Sequence, residues 1–178
     1  MCGIVGITSN KEVTSRIIGS LKKLEYRGYD SAGIATISEN NINEVKCEGR
    51  VNELEKNVNQ IKLSGTIGIG HVRWATHGKP STINAHPHSS DNVSVVHNGI
   101  IENSTILKKI LEKKGYKFKS QTDTEVIVHL VTDYLKKNNL KNTIIKVLKK
   151  LHGSFALGII FKDQPDLIVG ARRGSPLA

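Results

Sequence analysis

Aromatic residues make up only 4% of this 178-residue chain, and there is one tryptophan. That scarcity decides how the formal net charge of +10 is read. A basic surface for nucleic acid needs rings for base stacking, and this chain has few. Its lysines concentrate in 107–114, 134–141 and 146–150, interleaved with leucine and isoleucine at helical spacing, so they read as solvated faces of amphipathic helices. No nucleic-acid partner is expected, and the basic balance favours an anionic substrate only weakly. Cysteine is equally sparse: Cys2 and Cys47 could pair, but two cysteines are no disulfide framework, and a reduced, cytoplasmic protein is expected. No apolar run approaches the roughly 18 residues of a membrane span, so no membrane partner is expected. The first residues lack the basic and apolar regions of a secretory signal. The histidines His71, His77, His86, His88 and His97 cluster in sequence, yet no nearby cysteine pair or His-Glu-x-x-His helix accompanies them. Hydrogen-bonded loop histidines are favoured over a metal site, and no cofactor is expected.

What is present begins with Cys2, directly behind Met1. With Met1 removed, one residue carries both a thiol and an α-amine whose reference pKa is near 8, a nucleophile with its own proton acceptor. The apolar run 3–7 reads as a buried strand that would hold Cys2 in place. Cys47 lies in an alternating stretch, 42–48, as an ordinary strand residue.

The 38% hydrophobic content and the length suit one domain with a real core. Strands are predicted at 3–8, 32–37, 43–48, 66–73, 93–97, 154–161 and 167–171. Helices are predicted at 11–24, 51–62, 102–114, 124–137 and 141–151. No repeat or low-complexity linker interrupts them. Strands, then helices, then strands point to α+β layering rather than regular βαβ alternation. The last residues, 171–178, carry no stop signal and read as a cut within a longer protein.

Three polar segments follow strands, where a rigid scaffold displays functional groups. In His71-Val72-Arg73-Trp74-Ala75-Thr76-His77-Gly78, an arginine can grip a carboxylate with two hydrogen bonds. In His97-Asn98-Gly99, a side-chain amide beside a glycine could form an oxyanion hole, although Asn-Gly is by default a turn. In Ser120-Gln121-Thr122-Asp123-Thr124-Glu125, Asp123 or Thr122 could simply cap the next helix.

Taken together, these segments resemble the class II glutamine amidotransferase domains of the N-terminal nucleophile hydrolase superfamily. The residues that carry the resemblance are Cys2-Gly3-Ile4-Val5-Gly6, Arg27-Gly28-Tyr29-Asp30-Ser31-Ala32-Gly33, Asn98-Gly99 and Thr122-Asp123. Leu24-Glu25-Tyr26, Arg73 to Gly78, Asn84-Ala85-His86-Pro87-His88 and His97 to Asn103 narrow it to the branch that makes amino sugars. The resemblance implies a four-layer αββα sandwich of two antiparallel sheets, with residues 2–178 forming the glutaminase domain. It implies Cys2 as nucleophile, with Asn98 and Gly99 as oxyanion hole. Arg73 would bind the glutamine α-carboxylate, Asp123 its α-ammonium, and Thr76 and His77 would line that pocket. Trp74 would stand at the gate towards an ammonia channel. Arg27 would support the nucleophile, and His86 and His97 would be structural. The implied partners are L-glutamine, sugar-isomerase domains of the same full-length chain, and a second copy in a homodimer. Two rival readings are an acylase with an N-terminal nucleophile, which would want an apolar pocket instead of Arg73 and Asp123, and a basic, non-enzymatic binding fragment.

Overall fold

The computed structural model describes residues 2–75 and 78–178. Strands β1 (Gly3–Thr8), β2 (Ser31–Ser38), β3 (Asn41–Glu48) and β4 (Ile67–Arg73) form one antiparallel sheet in the order β1-β4-β2-β3. Strands β5 (His88–Ser89), β6 (Val93–Ile101), β7 (Gly153–Phe161) and β8 (Gln164–Arg173) form a second, also antiparallel, in the order β5-β6-β7-β8. Each sheet comes from an uninterrupted half of the chain. Helices α1 (Thr14–Leu24) and α2 (Val51–Ile61) belong to the first half, and α3 (Ser104–Lys113), α4 (Glu125–Leu135) and α5 (Leu140–Lys150) to the second.

Three apolar clusters explain the layering. One joins Ile17, Leu21, Leu54 and Val58 of α1 and α2 to Ile34, Val45 and Val72 of the first sheet. A second joins Leu111, Ile127, Val131 and Val147 of α3, α4 and α5 to Val95, Phe155 and Leu157 of the second sheet. The third lies between the sheets and contains Ala35, Ile37, Ile67, Ile69, Val96 and Ile160. Helix, sheet, sheet, helix is the αββα sandwich expected from the sequence. Phe155 is 1% exposed, and truncating such a side chain to alanine costs about 3–5 kcal/mol.

Strand alternation aims the chemistry. On β4, Gly68, Gly70 and Val72 face α1, and the two glycines let Ile17 and Leu21 approach where a Cβ would stand. The other face carries Ile67 and Ile69 into the inter-sheet layer, so His71 and Arg73 follow on that same side. On β6, Val96 faces the inter-sheet layer, and Asn98 continues that face. Thus the apolar layer turns polar at one end, and Cys2 stands there at the start of β1.

The default readings of two polar segments do not hold. Asn98-Gly99 is not a turn: β6 runs through it to Ile101, with Asn98 opposite Ala156 and Gly99 opposite Phe155. Gly99 has φ +129, and a Cβ there would overlap the carbonyl oxygen of Ser154, so only glycine fits this paired position. Neither Thr122 nor Asp123 caps α4, whose N-cap is Thr124, with no side-chain cap bond. Helix α1 starts at Thr14 rather than Lys11 because the Glu12 carboxylate accepts from the N–H groups of Thr14 and Ser15. The two-residue strand β5 has too little pattern to be seen in the sequence. Among the described residues, no helix is long and apolar enough to cross a membrane.

Candidate active site

A cavity of about 270 Å³ opens at the polar end of the inter-sheet layer, lined by Cys2, Arg27, Trp74, Asn98, Gly99, Ile100, Ser175 and Pro176. Five of these are residues singled out in the sequence, brought together from both sheets. The Cys2 sulfur is fixed by the backbone of β4's extension: the Trp74 N–H donates to Sγ at 3.2 Å, and Sγ lies 3.5 Å from the Trp74 carbonyl oxygen. Burial pushes the Cys2 thiol above its ordinary pKa, and the bond from Trp74 only partly offsets this. The Cys2 carbonyl oxygen accepts from Arg27 Nε at 3.1 Å and from Asn98 Nδ2 at 3.0 Å. Asn98 and Arg27 therefore grip the same peptide group from opposite halves of the chain.

Arg73 is 3% exposed. Its guanidinium donates to the carbonyls of Gly78 at 3.3 Å and Lys79 at 3.4 Å, and lies 3.9 Å from Asp30 Oδ1. The other carboxylate oxygen of Asp30 accepts from the Ala75 N–H, and its peptide N–H donates to the Arg73 carbonyl at 3.2 Å. Asp30 thus ties down the segment that carries both Arg73 and Trp74. Asp123 accepts from the Ile101 N–H at 2.7 Å and lies 3.9 Å from His97 Nδ1. Neither Arg73 nor Asp123 is among the residues that line the cavity around Cys2. Thr76 and His77 lie outside the described residues. Trp74 is 49% exposed and meets Tyr29 edge-on, with centroids 5.9 Å apart.

Beneath the cavity lies a packed set of imidazoles. His71 stacks on His86 at 4.3 Å, and His86 meets His88 edge-on at 4.7 Å. His71 Nε2 is 3.0 Å from the His97 carbonyl oxygen and 3.1 Å from Asn98 Oδ1. The Thr124 hydroxyl bridges His86 Nε2 at 2.7 Å and His97 Nδ1 at 2.9 Å. Burial depresses the pKa of His71 and His88 to about 3, and that of His86 well below the ordinary value, so these rings are neutral at pH 7. Among the described residues, no group of three or more His, Cys, Asp or Glu is arranged to hold a metal ion. The loops around these rings are cross-tied: Asn84 Nδ2 donates to Gln121 Oε1 at 3.1 Å, and the Gln121 N–H donates to Asn84 Oδ1 at 2.9 Å.

Sequence reasoning missed Asp30, His71 and the wall residues Ile100, Ser175 and Pro176. Asp30 and His71 were visible only as members of longer motifs, and nothing in a one-dimensional pattern brings 175–176 to Cys2.

Residues 72–174 match a family profile described as a glutamine amidotransferase domain. The chain belongs to the glutamine amidotransferase family. It is 55% identical over 179 residues to the glutamine–fructose-6-phosphate aminotransferase (isomerizing) of Clostridium acetobutylicum, covering 99% of this chain and 29% of that protein. It is also 55% identical over 180 residues to the protein of the same name from Mesorhizobium japonicum, covering 100% of this chain and 30% of that one. The chain therefore spans less than a third of the curated relatives it matches. Among solved structures, it is similar to the glutamine phosphoribosylpyrophosphate amidotransferase of B. subtilis, with TM-score 0.77 and 31% identity over 91% of this chain and 35% of that chain. A glutamine aminotransferase class-II domain protein from Silicibacter pomeroyi shares the fold at TM-score 0.65 with 13% identity.

Proposed function

We propose that residues 2–178 form a glutaminase domain that hydrolyses L-glutamine to glutamate and ammonia through a γ-glutamyl thioester on Cys2. The observation that carries this reading is one cavity holding the Cys2 thiol, the Asn98 amide and the Gly99 backbone. Because burial keeps the thiol protonated, the attack needs a base within the same residue's reach. The α-amine of Cys2 fills that role once Met1 is removed. It takes the thiol proton as sulfur attacks the side-chain amide carbon. The tetrahedral oxyanion is held by Asn98 and the Gly99 N–H. The amine returns the proton to the leaving nitrogen, the C–N bond breaks, and ammonia departs. Water then adds to the thioester, sulfur leaves, and glutamate is released.

Free glutamine is a zwitterion, and its recognition needs a cation and an anion. In this reading Arg73 would supply the cation and Asp123 the anion, and the family resemblance adds Thr76, His77 and Trp74 as substrate-binding residues. In the longer protein, sugar-isomerase domains would use the ammonia to turn fructose 6-phosphate into glucosamine 6-phosphate, in the cytoplasm, as a homodimer.

The test is incubation of the purified chain with glutamine, after intact mass has verified loss of Met1. Equimolar glutamate and ammonia are expected. A folded, Met1-free chain that releases neither would overturn the reading. Cleavage of acyl amides in place of glutamine would favour the acylase.

A further inference from the structure

We propose that His71 is a positioning residue that fixes which end of the Asn98 side-chain amide faces the nucleophile. The inference rests on the reading of Asn98 as an oxyanion donor.

The argument is one of donors and acceptors. His71 Nε2 contacts two oxygens at once, the His97 carbonyl at 3.0 Å and Asn98 Oδ1 at 3.1 Å. A peptide carbonyl can only accept, so Nε2 carries the hydrogen. The Asn98 atom facing that N–H must then be its oxygen. At the other end of the amide, Nδ2 lies 3.0 Å from the Cys2 carbonyl oxygen, again a group that only accepts. Two acceptor-only carbonyls, one at each end of the relay, leave a single consistent arrangement. Rotating the amide by 180° would set N–H against N–H at His71 and oxygen against oxygen at Cys2. His71 therefore keeps the donor end of Asn98 on the Cys2 side, where one N–H holds the Cys2 peptide and the amide lines the cavity.

The ring is held for this task. His71 is fully buried on the inter-sheet face of β4, opposite Asn98 on β6, so the contact spans the two sheets. His86 stacks on it at 4.3 Å, and His86 is itself held by Thr124. Burial keeps His71 neutral, so one ring nitrogen is a donor and the other is bare.

Two measurements test this. Long-range ¹H–¹⁵N spectra of the wild-type chain should show His71 as the neutral tautomer protonated on Nε2. A ring protonated on Nδ1, or on both nitrogens, at pH 7 would overturn the proposal without any variant having to fold. In kinetics, His71→Phe should lower kcat about tenfold, less than the 10²–10³-fold expected for Asn98→Ala, with KM within about twofold. His71→Gln, whose amide can place an N–H near the Nε2 position, should recover most of that loss. His71→Phe in an Asn98→Ala background should cost nothing further, because the amide it orients is gone. Losses that multiply in the double variant would mark His71 as mere packing and sink the inference. Wild-type kcat in Asn98→Ala alone would instead remove the oxyanion reading beneath it.

Discussion

Arg27 Nε donates to the carbonyl oxygen of Cys2 at 3.1 Å, on the peptide group that also receives Asn98 Nδ2. Arg27 lies in the short helical turn Glu25–Arg27 that follows α1, so the orientation of the first residue depends on where α1 ends. Arg27→Leu should keep most of the packing of the stem and lose this bond. We expect kcat for glutamine hydrolysis to fall about tenfold, as for a misplaced reacting group. Arg27→Lys should not restore it, since an ammonium lacks the planar donor geometry. Unchanged kcat in both variants would show that Cys2 is oriented without Arg27.

Cys2→Ala should abolish glutamine hydrolysis with the melting temperature nearly unchanged. Cys47 packs in the cluster beneath α1 and α2 at 6% exposure, far from the cavity lining. Cys47→Ala should cost about 1 kcal/mol of stability and leave kcat near wild type. An active Cys2→Ala chain beside an inactive Cys47→Ala chain would reverse the assignment of the nucleophile.

For substrate recognition, Asp123→Asn is the informative change. The asparagine oxygen can still accept from the Ile101 N–H, so the local fold survives while the negative charge is lost. Arg73→Lys keeps a positive charge and loses the fork. Each should raise KM for glutamine tenfold or more, to order of magnitude, with a smaller loss of kcat, because both groups act away from the scissile amide. N-acetylglutamine should be a poor substrate for the wild type. Equal cleavage of N-acetylglutamine and glutamine would remove Asp123 from the pocket.

Acid should destabilise the fold well before carboxylates titrate. His71 and His88 have folded pKa values of about 3 against roughly 6.5 when unfolded, so the unfolded chain binds more protons below that value. Stability is full above pH 6.5 and falls as pH drops towards 3, by at most about 2 kcal/mol per histidine on reaching pH 5. Glu125 adds a lower window: burial opposes its charge, but bonds from His129, Ser120 and Lys119 hold its pKa at about 2, so its contribution is lost from about pH 4 downwards. Urea unfolding at pH 7.5 and 5.0 should show the fall, and His88→Gln should flatten it. Equal midpoints at the two pH values would contradict the neutral buried rings.

The layers were legible because strand and helix periods are local. Ile67, Ile69 and their neighbours alternate, and Ile17, Ile18 and Leu21 recur at helical spacing, so both elements could be read directly. Asn98-Gly99 departs from its default turn for a physical reason. The dipeptide favours a turn in isolation, but pairing with β7 and the crowding of Gly99 against Ser154 impose a strand. That Cys2 and Asn98 meet at one cavity was legible from motif resemblance, whereas the contacts of Asp30 and His71 depend on strands distant in sequence. Asp30 reaches Ala75 at the end of the paired strands β2 and β4, and His71 reaches Asn98 across the two sheets.

Each sheet is completed by one continuous half of the chain, and this has a consequence for synthesis on the ribosome. The first half, through Trp74, contains all four strands and both helices of its own layers together with the Cys2 contacts to Arg27 and Trp74. Asn98 and Gly99, which share the cavity with Cys2, belong to the second half, and Asn98 bonds the Cys2 carbonyl oxygen from there. A prematurely released or proteolytically clipped first half therefore carries the thiol without its partner donors. The proposed site therefore depends on both halves being made and joined.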